Sequence, residues 1–136
     1  MQRHPLLYFG PSGLHGRGVF CAEDVAAGTL LEICPVLLLP REELPALNQQ
    51  FLYDYYFLWN EAQDQPAIVL GLGSLYNHRC PANARYDLDL LDRTVDFSAV
   101  CDIPAGEEIC VNYHGEPDDP SPVWFELPDR GRPAKS

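Results

Sequence analysis

Basic residues are scarce in this chain. Its 136 residues hold nine lysines and arginines against twenty aspartates and glutamates, a formal net charge of −11. Proteins that bind nucleic acid do so mainly through Lys and Arg on phosphates, so direct DNA or RNA binding is disfavoured. A basic protein or peptide is the more natural partner, with simple solubility as the plain alternative. Cys-x-x-Cys pairs are absent, and the five cysteines stand scattered at positions 21, 34, 80, 101 and 110. That odd set fits neither a disulfide framework nor a zinc ribbon, and it suits a reducing cytosol. Long apolar runs are lacking too. A run such as Val36 to Leu39 is far too short to span a bilayer, and Met1 to Gly10 is short and broken by Pro5. Neither a membrane span nor a signal peptide is expected.

What is present suffices for one domain with one core. Hydrophobic residues make up 46% and aromatics 11%, while thirteen prolines and ten glycines predict many turns and short strands. Leu6 to Phe9 and Val19 to Ala22 are expected strands, with Pro11-Ser12-Gly13 and Gly16-Arg17-Gly18 as tight turns between them. Thr29 to Leu39 reads as a buried strand pair or one bent strand. Pro40 to Leu44 looks like a helix start that Pro45 cuts short or restarts. The aromatic stretch from Asn48 to Asn60 is expected to run from a short helix into a strand. Arg85 to Leu90 and Thr94 to Cys101 predict a hairpin around Leu91-Asp92-Arg93. Ile103-Pro104-Ala105-Gly106 repeats the turn chemistry of Val25-Ala26-Ala27-Gly28. In Glu108 to Tyr113 the alternation puts Ile109, Val111 and Tyr113 on one buried face. Prolines 117, 120, 122, 128 and 133 mark an irregular tail, interrupted by Trp124-Phe125, a pair expected to dock on the domain.

The densest chemistry lies in GLGSLYNHRCPANARY, residues 71 to 86. A small-residue turn is followed by an adjacent Asn77-His78 pair, a cysteine, a second asparagine and a tyrosine. This mixture predicts backbone held close to a ligand, with amide and imidazole groups to fix it. His78 with Cys80 lacks a third and fourth ligand at metal spacing, so no metal is expected. Gly73-Ser74-Leu75-Tyr76 fails the Gly-x-Ser-x-Gly elbow of a hydrolase. Taken singly, Tyr113 and His78 would each be read more readily as structural than as catalytic.

Three segments in order change that weighting: Gly16-Arg17-Gly18-Val19-Phe20, Gly71 to Tyr86, and Ile103 to Tyr113 with Gly115. Together they resemble the SET domain of protein-lysine methyltransferases, over roughly residues 5 to 125, and are similar to short stand-alone viral and bacterial members. The resemblance implies a mainly β protein, a β-clip of several small sheets with short helices and a knot-like C-terminal crossing. Residues 126–136 would be a flexible tail. It implies S-adenosylmethionine as cofactor, approached by the backbone of Gly16, Arg17 and Gly18, with Asn77 and His78 at its amino-acid and adenine ends and Trp124 over the adenine. Tyr113 takes the catalytic tyrosine position, and Tyr86 and Tyr55 line the channel for the substrate lysine, with Tyr53 or Tyr56 as alternatives to Tyr55. The substrate would be a basic protein: a histone, a histone-like protein or a ribosomal protein. A location in the cytoplasm, or the nucleus of a eukaryote, would suit it. Homodimerisation would let so small a domain complete a substrate groove, although no heptad or symmetric patch shows it. A non-catalytic module that holds a lysine-containing partner is the alternative. The sequence departs from the commoner Asn-His-Ser-Cys-x-Pro-Asn pattern: it reads Asn77-His78-Arg79-Cys80-Pro81-Ala82-Asn83, so a different bend is expected there.

Overall fold

A computed structural model describes residues 2–50, 55–59 and 64–121. Its strands are β1 (Leu7–Pro11), β2 (Arg17–Cys21), β3 (Leu30–Leu38), β4 (Phe57–Leu58), β5 (Pro66–Val69), β6 (Asn77–His78), β7 (Ala84–Asp89), β8 (Thr94–Ala99) and β9 (Glu108–Val111). Among the described residues they form two sheets, ordered β1-β2-β9-β6 and β4-β5-β3-β8-β7. Among the described residues helix is confined to single turns: a 3-10 turn at Arg41–Glu43 runs into α1 (Leu44–Leu47), and another 3-10 turn spans Gly73–Leu75. Pro45 restarts the helix rather than ending it, because it sits in the first turn of α1, where no N–H is needed. No helix among the described residues is long and apolar enough to cross a membrane.

Thr29 to Leu39 resolves into one bent strand. The first half of β3 pairs with β8 and the second half with β5, and a register shift between Leu30 and Glu32 supplies the bend. Leu31, Val95 and Phe97 beneath it are fully buried and anchor the core. The hairpin of β7 and β8 turns at 90–93, with Arg93 at φ 56°.

Two expectations need correction. Arg17 and Gly18 are not turn residues: they pair with Pro11 and Gly10 in the β1–β2 ladder, and only Gly16, at φ 51°, belongs to the turn. Propensity suggested a break, but the register of the hairpin decides. In β9, Ile109, Cys110 and Val111 are all buried, so alternation fails. That strand lies between β2 and β6, and successive side chains are buried to either face, the condition under which strands become continuously apolar. Tyr113 lies two residues beyond its end.

The two similar turns dock on each other. Val25 and Ile103 exchange N–H···O bonds of 2.8 Å in both directions. Asp102 Oδ1 accepts from Ala27 N–H at 2.9 Å, and Asp24 Oδ1 accepts from Ala105 N–H at 2.8 Å. Gly28 and Gly106 both take positive φ, 86° and 82°. Each turn therefore completes the other's hydrogen bonds, and the pair delivers β9 to its place beside β2.

Candidate active site

The Asn77-His78 pair is positioned by β9. Strand β6 runs parallel to it, with Asn77 opposite Cys110 and His78 opposite Val111. The glycines before the pair are there for space: a Cβ on Gly73 would overlap Val69, and one on Gly71 (φ 65°) would stand 2.5 Å from the Glu32 carboxylate. Ser74 donates to the Val69 and Tyr55 carbonyls at 2.9 and 3.3 Å, which holds the Tyr55 main chain beside this turn.

Asn77 is buried and ties this strand to the β1–β2 loop. Its amide nitrogen donates to the carbonyls of His15 and Arg17, both at 3.0 Å, to Glu108 Oε2 at 2.8 Å and to Ser12 Oγ at 3.2 Å. Carbonyls and a carboxylate only accept, so the atom facing them is the nitrogen, and its two hydrogens are shared. Ser12 in turn donates to Glu108 Oε1 at 2.6 Å and accepts from the Leu14 and His15 N–H groups. Glu108 thus grips the root of the loop with both oxygens. A Cβ on Gly18 would overlap that carboxylate, so the close approach that requires glycine at 18 is to Glu108. Gly16 is different: a Cβ there would meet none of the described residues, so no part of the described fold fills that side of the turn. The Arg17 guanidinium lies 5.5 Å over the Phe9 ring.

The other half is aromatic. His78 Nδ1 accepts from the Tyr113 N–H at 3.0 Å, which leaves the proton of the neutral imidazole on Nε2. The two rings lie 5.2 Å apart. The Tyr113 hydroxyl donates to the Tyr76 carbonyl at 3.1 Å, and the Tyr86 hydroxyl donates to the Tyr113 carbonyl at 3.3 Å. Phe57 meets Tyr86 edge-on at 5.2 Å, and Phe97 lies 6.3 Å from it. Burial pushes the Tyr86 phenol up to about 12.

The altered loop 79–83 is well anchored. Asn83 is buried; its amide nitrogen donates to the Glu108 carbonyl and Glu107 Oε2 at 2.8 and 3.1 Å, and its oxygen accepts from Cys110 N–H at 2.7 Å. Asn83 is therefore a brace for β9. Ala82 N–H donates to the Pro117 carbonyl at 2.8 Å, and the Cys80-Pro81 peptide is cis.

The structure brings Arg17 and the turn at Gly16 to Asn77, and His78 to Tyr113 and Tyr86. Tyr55 is near by its main chain, and Tyr56 instead donates to Asn48 at 2.6 Å in a separate cluster. Tyr53 and Trp124 lie outside the described residues, as does the expected tail. Ser12, Glu108 and the Tyr76 carbonyl were not anticipated. Ser12 sat in a plain turn and Glu108 at a strand start, and neither position carries a local signal of ligation. Among the described residues, no three His, Cys, Asp or Glu side chains gather as a metal set.

The residues fit S-adenosylmethionine. An open glycine turn, a fixed amide and an imidazole of set tautomer line one side, and an acidic chain suits a cationic ligand. Comparison with known proteins agrees. A histone-lysine N-methyltransferase of Schizosaccharomyces pombe, specific for H3 lysine-37, is 33% identical over 112 residues, 82% of this chain and 71% of that protein. The crystal structure of a Plasmodium falciparum protein assigned to the histone methyltransferases matches at TM-score 0.67 and 30% identity, covering 83% of this chain and 95% of that one. Polycomb Repressive Complex 2 of Chaetomium thermophilum, in an autoinhibited conformation bound to S-adenosylmethionine, matches at TM-score 0.67 and 25% identity. There the match covers 79% of this chain but only 15% of the larger one. With a SET domain model matching residues 16–114, the chain belongs to the SET domain family.

Proposed function

We propose that this chain is a protein-lysine N-methyltransferase that uses S-adenosylmethionine, with residues 5–125 as the working domain and a basic protein such as a histone as substrate. The observation that carries the reading is the meeting of the 15–17 backbone with Asn77 and of His78 with Tyr113 and Tyr86. The Gly16 turn, Arg17, Gly18, Asn77 and His78 would hold the cofactor. Bound there, it would supply an electrophilic methyl group on a sulfonium sulfur.

The chain's own contribution is to present a neutral amine in line. A free lysine has a pKa of about 10.4, so most of it is charged at neutral pH. The burial that raises the Tyr86 phenol acts on an amine with the opposite sign and lowers its pKa. Among these aromatic walls lysine can therefore shed its proton to water without a carboxylate base. The Tyr113 hydroxyl donates its hydrogen bond to the Tyr76 carbonyl, which leaves its oxygen lone pairs to accept an N–H from the amine. The Tyr76 carbonyl is also an acceptor for weak C–H···O contacts of roughly 0.5–1 kcal/mol each. Alignment supplies most of the acceleration. The net charge of −11 favours a basic substrate tail.

Transfer of labelled methyl from S-adenosylmethionine to core histones and other basic proteins tests the reading, preceded by a thermal shift with the cofactor. Stabilisation by cofactor and label on lysine are expected. Stabilisation without label on any acceptor would turn the reading towards a lysine-binding module, and no stabilisation would remove both.

A further inference from the structure

We infer that Arg3, Glu32 and Tyr76 form a strut that sets the Tyr113 hydroxyl from outside the site; it rests on the methyltransferase reading above. Glu32 lies in β3 with 2% exposure, a buried carboxylate. Its Oε2 accepts from Arg3 Nε at 3.1 Å and from Leu72 N–H at 3.0 Å. Its Oε1 accepts from the Tyr76 hydroxyl at 3.0 Å. The Tyr76 ring stacks on Phe97 at 4.0 Å and 9°. Ring, hydroxyl and neighbouring strand leave the Tyr76 carbonyl one direction, and that carbonyl receives the Tyr113 hydroxyl at 3.1 Å. Hydrogen bonds of 3.1, 3.0 and 3.1 Å, joined through the body of Tyr76, therefore link the N-terminal segment to the candidate catalytic phenol.

The segment is built for this. Gln2 and His4 bond to Ile33 and Leu31 on either side of the Arg3–Glu32 bridge, at 2.7 and 2.8 Å. Gly71 lacks a side chain where one would strike both Glu32 Oε2, at 2.5 Å, and Arg3 Nη2, at 3.2 Å. Burial, with the Glu32 charge beside it, raises the Tyr76 phenol well above its ordinary value, so Tyr76 remains a neutral donor. Arg3 is the exposed end, its side chain 48% accessible, and is the point where the strut can be altered without opening the core. Without Arg3 the buried carboxylate keeps only neutral donors, and pulls on the Tyr76 hydroxyl instead. Arg3, Glu32 and Tyr76 are positioning residues, since none of the three side chains reaches the reacting atoms.

The test uses the full chain with Arg3→Gln, Arg3→Lys and Tyr76→Phe. Tyrosines are labelled for NMR, and the Tyr113 signal is assigned by its loss in Tyr113→Phe. Without cofactor, the Tyr113 signal should shift in Arg3→Gln and Tyr76→Phe and return most of the way in Arg3→Lys. With core histones as acceptor, kcat should fall about tenfold in the first two variants, as a displaced reacting group requires. KM for S-adenosylmethionine should move less than about twofold, because the cofactor loop is untouched. An unmoved Tyr113 signal in folded Arg3→Gln overturns the strut, and so does an unchanged kcat. If the parent chain transfers no methyl, the signal alone decides the strut, while the methyltransferase reading falls separately.

Discussion

Around Asn77 the chain is held by hydrogen bonds to a carboxylate and main-chain carbonyls, whereas around Tyr86 it is held by rings. The first kind of contact is directional and fixes a loop to within a bond length. The second removes water and shapes a passage, with few directions imposed. A polar grip suits a zwitterionic, cationic cofactor, and an aromatic wall suits an amine that must lose its charge. Tyr113 stands where the two meet, its N–H on His78 and its hydroxyl on the Tyr76 carbonyl.

Five substitutions would break or sharpen this division. Tyr113→Phe strikes the junction. Turnover should fall about a hundredfold, since the amine loses its orienting acceptor, while the melting curve stays close to that of the parent; unchanged turnover would end its catalytic role. Asn77→Asp strikes the polar end by setting a carboxylate against Glu108 and two carbonyls. Unfolding in urea at pH 7 should show a loss of about 2–3 kcal/mol, and a variant as stable as its parent would refute the account. Gly18→Ala should displace Glu108 from Ser12 and Asn77 and cost about 1–3 kcal/mol. Gly16→Ala faces open space and only a positive φ, so about 1 kcal/mol is expected; titration calorimetry with S-adenosylmethionine should find the cofactor weakened in both.

The smallest effect belongs to the aromatic end. Tyr86→Phe removes one 3.3 Å bond, and at pH 7 should cost about 1 kcal/mol or less. Its signature is alkaline. The folded phenol titrates at about 12 against about 10 when unfolded, so its contribution is whole below pH 10 and is lost between pH 10 and 12. That window holds about 2–3 kcal/mol in the parent chain. Cys110, raised by burial to about 12, adds to the same slope, so Tyr86→Phe should flatten the fall rather than abolish it. Identical alkaline slopes for parent and variant would show that this end is wet.

Much of the site was legible in the chain because its residues are contiguous. Asn77 and His78 stand together, and the glycines before them announce close packing. The β7–β8 hairpin follows from local alternation and turn residues, to within a residue or two. What escaped was set by distant pairing. Nothing near Gly18 says that a strand ninety positions later would lay Glu108 against it, and nothing near Glu32 marks it as a buried acid. Arg17 and Gly18 read as turn because glycine-rich tripeptides usually are; the β1–β2 register outweighs that preference. The place of β9 inside its sheet depends on β6 arriving on its far edge, a parallel pairing of two residues that no local pattern encodes.

The reciprocal turns at 24–28 and 102–106 carry a consequence for biosynthesis. On a ribosome the first emerges long before its counterpart, and its Ala27 and Val25 amides must wait on solvent until Asp102 and Ile103 appear. Only their clasp brings Glu108 beneath the glycine loop. A chain cut short before the second turn should therefore be inert, since the first turn alone cannot bring β9 into place.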